Sequence, residues 1–188
     1  MEPLIRSIDT LTKSEYERCL SLMEPGRRAT VEALTNETAR QRTVLGEWMA
    51  KTALSEQIGC PIEQIRLLRD EKGKPFAPDL PLHFSISHSG PWVVCAVSSN
   101  PVGVDIEILR PIDPKIAHRI CHPEDLPFLE GKTEAEVIRK FFLLWTAKEA
   151  RGKRDGTGLQ NIREIPLSRI LPRCHRITTE EYVVSVVE

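Results

Sequence analysis

The sequence predicts an α+β protein assembled from two halves. Three observations carry that expectation. Helix-like segments are followed by strand-like ones, and the same order then repeats. Three strand-like runs at 83–87, 92–98 and 102–107 are separated only by Ser89-Gly90-Pro91 and Ser99-Asn100-Pro101, and gaps that short favour an antiparallel meander. The 188 residues suffice for one core or for two small halves sharing an interface.

Taken in order, residues 12–22 read as a short helix with Thr12 or Ser14 as N-cap, ended by Pro25-Gly26. A longer helix follows over 29–58, interrupted near Thr35-Asn36. Its second part carries an apolar stripe of Val44, Leu45, Trp48, Ala53, Leu54 and Ile58. Gly59-Cys60-Pro61 stops it. Residues 65–68 are a short strand candidate and Asp70-Glu71-Lys72-Gly73-Lys74-Pro75 a turn. After the three strands come helices over 113–121, 123–130 and 133–153, and a β tail over 162–187 ending in Tyr182-Val183-Val184-Ser185-Val186-Val187. The halves are expected over 1–100 and 101–188.

Composition excludes several classes. Twenty-six basic residues against 27 acidic ones give no field that would steer the chain to nucleic acid. The N-terminus carries no basic-then-apolar leader, and the longest apolar runs are too short to span a bilayer. Five scattered cysteines form no C-x-x-C pair, so Cys121-His122 and Cys174-His175 are not read as zinc ligands. The expectation is a reduced cytoplasmic protein without membrane or nucleic-acid partners.

The chemistry concentrates in the middle of the chain. In Gly103-Val104-Asp105-Ile106-Glu107, residues i and i+2 of a strand share a face, so Asp105 and Glu107 project together. In Trp145-Thr146-Ala147-Lys148-Glu149-Ala150, a Lys-Glu pair sits at the polar edge of an apolar helix, and Glu149 stacks with Trp145 and Lys153 at four-residue spacing. Three carboxylates converging from strand and helix suit Mg²⁺, which takes oxygen ligands and shares phosphates. A solvated sheet face and an ordinary i,i+4 ion pair explain the same spacing, and both readings stay open. A second set could take phosphate: Lys74 on its stiffened turn, Ser87-His88-Ser89-Gly90 at a strand end, Arg27-Arg28, and Arg40 and Arg42.

Together, Gly73-Lys74-Pro75, Ser85-Ile86-Ser87-His88-Ser89, Gly103-Val104-Asp105-Ile106-Glu107 and Phe142-Leu143-Leu144-Trp145-Thr146-Ala147-Lys148-Glu149-Ala150, then Lys153, resemble the 4′-phosphopantetheinyl transferase superfamily. The likeness is to the surfactin-synthetase-activating (Sfp-type) branch in its W-x-x-K-E-A form, and runs from about residue 25 to 159. It implies a pseudo-dimer of two similar halves, each a small antiparallel sheet with packed helices, with the active site in the cleft between them. The N-terminal half would be the coenzyme A side and the C-terminal half the metal-binding and catalytic side.

It implies transfer of the 4′-phosphopantetheine arm of coenzyme A to a serine of an apo acyl or peptidyl carrier protein, releasing 3′,5′-ADP. Asp105, Glu107 and Glu149 would be the Mg²⁺ ligands, and His88 and Lys153 would hold the pyrophosphate. Lys74 and Ser87 would bind the nucleotide end, with Arg27, Arg42 and Thr43 in the region of the 3′-phosphate and adenine. Glu149 is the first choice for base and Glu107 the second. A monomer is expected. A non-catalytic coenzyme A or carrier-binding relative and a metal-dependent phosphohydrolase are the competing classes. Basic residues near the long helix (Arg139, Lys140, Arg151, Arg154) are candidates to meet an acidic carrier.

Three departures from the branch add expectations. Arg151-Gly152 stands where an aromatic and an aliphatic residue are usual, and a mid-helix glycine costs about 1 kcal/mol against alanine, so the turn holding Lys153 is expected to be loose. Thr30 replaces a second basic residue. The short tail beyond Leu159 predicts a minimal second sheet.

Overall fold

The computed structural model describes residues 2–113, 116–117, 120–131, 133–160 and 162–188. The chain divides into two compact units, Met1–Pro101 and Val102–Glu188.

The first unit runs β1 (Leu4–Ser7), α1 (Lys13–Ser21), α2 (Pro25–Glu32), α3 (Glu37–Ile58), β2 (Leu68–Arg69), β3 (Pro75–Phe76), β4 (His83–Ser89) and β5 (Trp92–Ser98). Of the two candidate caps, Thr12 caps α1, its side chain accepting from the Glu15 N–H. Pro25 begins α2 instead of ending α1, since a prolyl nitrogen costs nothing in the first turn. Asn36 opens α3 by accepting from the Ala39 N–H, so the interruption falls where Thr35-Asn36 suggested. Gly59 ends α3 in the left-handed region at φ 75°. The α3 residues Leu45, Met49, Ala50 and Leu54 pack with Phe84, Val93 and Cys95 of the sheet in one core.

That sheet has the order β1-β5-β4, all antiparallel. The expected three-strand meander is therefore wrong in its third member. Both edges of β5 are occupied, by β4 and by the unforeseen β1, so residues 102–107 find no partner there. Strand β1 escaped notice because four residues, running from just after Pro3 to the cap Ser7 itself, carry too little pattern. The 65–68 strand also shrinks: Ile62–Gln64 is a 3₁₀ turn, and only Leu68–Arg69 pairs, with Pro75–Phe76 across the 70–74 turn.

The second unit runs β6 (Gly103–Ile108), a 3₁₀ turn (Pro123–Asp125), α4 (Leu126–Leu129), α5 (Glu134–Asp155), β7 (Cys174–Thr178) and β8 (Tyr182–Val187). Of the helix expected over 113–121, Pro114, Lys115, His118 and Arg119 lie outside the described residues. Thr133 caps α5 and Gly156 stops it at φ 68°. The tail returns to β only at Cys174. Before it lie 3₁₀ turns at Leu167–Arg169 and Leu171–Arg173, with Pro166 and Pro172 removing ladder donors.

The sheet order is β6-β8-β7, antiparallel throughout. Each unit thus places its first strand at one edge, its last strand in the centre and the preceding strand at the other edge. Each also carries a 22-residue helix. The second sheet matches the first in strand number and is not reduced. Among the described residues, no helix is long and apolar enough to cross a membrane.

Candidate active site

The second unit builds its site where α5 crosses β6. The approach is so close that a Cβ on Gly103 would lie 1.8 Å from the Ala150 carbonyl oxygen, which only glycine permits. Alternation along β6 puts Gly103, Asp105 and Glu107 on that helix-facing side. Val104 and Ile106, on the other side, are fully buried, and Asp105 is only 5% exposed. Strand β6 therefore has no wet face at Asp105, and the solvated-sheet explanation fails for that acid; Glu107 at the strand's end is half-buried.

Asp105 pairs across the sheet with buried Ser185, whose hydroxyl lies 2.8 Å from that of Thr146 on α5. Lys153, two turns further along α5, donates from Nζ to Asp105 Oδ1 at 2.7 Å. Glu107 accepts at Oε2 from Arg110 Nη1 at 2.8 Å. Arg110 also donates to the Ile108 carbonyl at 3.2 Å, and its guanidinium lies 5.0 Å from the centre of the Phe142 ring.

Glu149 completes the set from α5. Burial first, then neighbouring Asp105 and Glu107, push its carboxyl up from 4.5 to about 7 against the opposing pull of Lys153. A carboxylic acid titrating near neutrality can accept a proton at physiological pH and release it again. Among the described residues, no three His, Cys, Asp or Glu side chains are gathered as a ready metal cage. Two of the three carboxylates are instead engaged by the protein's own cations, Lys153 and Arg110. The donor set still suits a hard divalent cation, being all oxygen, and the mutual repulsion at Glu149 is what such a charge relieves.

Gly152 does not loosen the helix. The α5 turn runs unbroken to Asp155, and the Gly152 carbonyl accepts from the N–H groups of Thr157 and Gly158 at 3.0 and 3.2 Å. A Cβ at residue 152 would sit 2.1 Å from the Gly158 carbonyl oxygen, so the glycine permits the chain to fold back on α5. Lys153 is held accordingly. Of the basic residues offered as a carrier-facing patch, Lys140 pairs with Glu136, and Arg151 and Arg154 both pair with Asp155. Arg139 is exposed.

In the first unit, Ser87 and His88 alternate on β4, the serine buried and the histidine exposed. Lys74 follows Gly73 (φ 82°) in a turn tied by the Lys74 N–H donating to Asp70 Oδ1 at 2.8 Å. Arg27 donates from Nε to Glu47 Oε1 at 2.6 Å, and Arg69 Nη2 donates to the same oxygen at 3.2 Å. Arg69 also donates to the Gly73 carbonyl at 2.7 Å, fastening the Lys74 turn toward α3. Thr43 donates its hydroxyl to the Ala39 carbonyl. Arg42 is half-buried, with no hydrogen bond at Nε.

A family model described as "4′-phosphopantetheinyl transferase superfamily" matches residues 101–183, and one described as "4′-phosphopantetheinyl transferase, N-terminal" matches residues 10–100. The 4′-phosphopantetheinyl transferase Sfp of Bacillus subtilis (strain 168) is 36% identical over 167 residues, covering 88% of this chain and 73% of its own length. The chain belongs to the 4′-phosphopantetheinyl transferase superfamily. It is a transferase enzyme of that kind. The 4′-phosphopantetheinyl transferase gsp of Aneurinibacillus migulanus is 42% identical over 118 residues, 63% of this chain and 49% of its own length. AcpT of Escherichia coli (strain K12), also a 4′-phosphopantetheinyl transferase, is 32% identical over 124 residues.

Sequence reasoning missed several side chains that support the candidate residues. Lys148 is not at a polar edge: it is buried and its Nζ lies 2.7 Å from Asp125 Oδ2, with a second bond to the Ile162 carbonyl at 3.1 Å. Asp125 also accepts from the Leu167 N–H at 2.7 Å. The signal was a lysine inside an apolar run, which can be buried only if paired. Arg110, three residues after Glu107 and just before Pro111, gave a weaker signal. Arg69 gave none.

Proposed function

We propose that this chain transfers the 4′-phosphopantetheine arm of coenzyme A to a serine hydroxyl of an apo acyl or peptidyl carrier protein, with Mg²⁺, releasing 3′,5′-ADP. The observation that carries the reading is Glu149, a carboxyl held near pH 7 beside Asp105 and Glu107 on one face of β6 and α5. In the reaction the serine oxygen attacks the β-phosphorus of coenzyme A and its proton passes to Glu149, with Glu107 as the alternative acceptor. The bond from that phosphorus to the bridging oxygen breaks, and its electron pair leaves with 3′,5′-ADP.

Asp105, Glu107 and Glu149 would hold Mg²⁺, whose chemistry there is to draw charge from phosphate oxygens. Lys153 and His88 offset charge developing on the pyrophosphate. Lys74 and Ser87 take the nucleotide end, and Arg27, Arg42 and Thr43 the 3′-phosphate and adenine. Support for that second set is the concentration of cations on α2, α3 and the 70–74 turn, where two guanidiniums share one Glu47 carboxylate. The first unit is then the coenzyme A side and the second the catalytic side. Two self-contained cores support a monomer, and five free cysteines a reducing cytoplasm.

The test is to incubate the protein with coenzyme A, Mg²⁺ and a panel of apo carrier proteins, then weigh the carriers by mass spectrometry. A carrier heavier by one phosphopantetheine arm is the expected result. Release of 3′,5′-ADP with every carrier unchanged in mass would overturn the transfer step.

A further inference from the structure

Arg110 is the cation on this site that neither the motifs nor the proposed chemistry accounts for. Its position is built from three directions: the Glu107 carboxylate, the Ile108 carbonyl, and the ring of buried Phe142. Two of these anchors belong to the fold and stay in place whatever Glu107 does. The third is one of the three carboxylates assigned to the divalent cation, more exposed than Asp105. Lys153 makes the equivalent contact with Asp105.

We infer that Arg110 is a resident counter-cation that occupies Glu107 before a divalent ion does, and so sets the affinity of the site for that ion. The inference rests on the carboxylate assignment made above. Carboxylates drawn onto one face of β6 and α5 repel one another, and the structure answers two of them with cations, Lys153 on Asp105 and Arg110 on Glu107. Arg110 and Lys153 hold two of them in register through that repulsion. When an ion is gripped, Glu107 turns from Arg110 to it, and Arg110 remains on the Ile108 carbonyl and the Phe142 ring. Arg110 is a positioning residue in this account. It competes for Glu107 and donates nothing to the reacting atoms.

The size of the effect follows from exposure. The Arg110 side chain is 51% exposed and that of Glu107 20%, so the pair lies in the range where solvent screens most of the attraction. Releasing Glu107 from it should tighten ion binding by about two- to five-fold. Removing the cation should act through charge, so a lysine at the same place should keep the competition.

The test uses Mn²⁺ as probe, titrated into the metal-free protein with saturating coenzyme A and no carrier, with free Mn²⁺ read by electron paramagnetic resonance. Arg110→Met should bind Mn²⁺ about two- to five-fold more tightly than wild type, and Arg110→Lys like wild type. Glu107→Gln should abolish the difference between Met and Arg at position 110. Thermal melts establish that each variant is folded. Wild type that binds Mn²⁺ while Arg110→Met binds it equally or more weakly overturns the role of Arg110 and leaves the carboxylate assignment standing. Met and Lys shifting affinity alike overturns it too, because packing on Phe142 and not charge would then be responsible. Wild type that takes up no Mn²⁺ overturns both.

Discussion

Breaking the Lys148–Asp125 pair should unfold the second unit at far lower urea. The two side chains are 2% and 3% exposed and lie 2.7 Å apart. At an effective dielectric of about 20, that separation corresponds to about 6 kcal/mol of attraction, offset by the desolvation of both charges. Removing one partner leaves the other charge buried, so Lys148→Met should cost about 3–5 kcal/mol. Asp125→Leu should cost at least as much, because it also strands the Leu167 N–H, which now donates to Asp125 Oδ1. The double replacement Lys148→Met with Asp125→Leu removes both charges and should recover much of the loss. The assay is urea unfolding followed by circular dichroism, with the four proteins forming a double-mutant cycle. Single variants within about 1 kcal/mol of wild type, or a strictly additive double, would refute the reasoning that this pair pins residues 122–125 and 162–167 to the helix carrying Glu149.

Glu149→Gln should abolish transfer yet stabilise the metal-free fold at alkaline pH. A folded value of about 7 against 4.5 means that native stability is complete below about 4.5 and is lost as pH rises through 7, so the glutamine gains about 3 kcal/mol at pH 8.5 and about 1 at pH 5; urea melts in chelator check this. Asp105→Ala should nearly abolish transfer with the fold intact, and wild-type turnover at saturating Mg²⁺ would contradict its assignment. Gly152→Ala should lower the melting temperature, costing about 1–3 kcal/mol because the new Cβ meets the Gly158 carbonyl oxygen, whereas a bare gain in helix propensity would raise it.

The sequence made the duplicated order of elements legible, because each half repeats helix-then-hairpin with a long apolar-striped helix. Local pattern could not reveal which strands pair. Strand β6 follows β5 after four residues, yet it joins β8, nearly eighty positions away, because β1 had already closed the free edge of β5. The carboxylates of the site were legible from strand and helix periodicity together. Their counter-charges were not. Lys153 on Asp105 spans 48 positions, and such a pair is set by how elements cross. Gly152 misled for a related reason: propensity prices the helix alone, while the structure shows the glycine admitting residues 157–158 against it.

The central claim is that Glu149 is a base poised near neutrality by burial and two neighbouring carboxylates. The most direct measurement is a carbon-13 titration of the Glu149 carboxyl in metal-free protein, its resonance assigned by its disappearance in Glu149→Gln. A midpoint of about 7 is predicted, and a midpoint at the ordinary 4.5 contradicts the account.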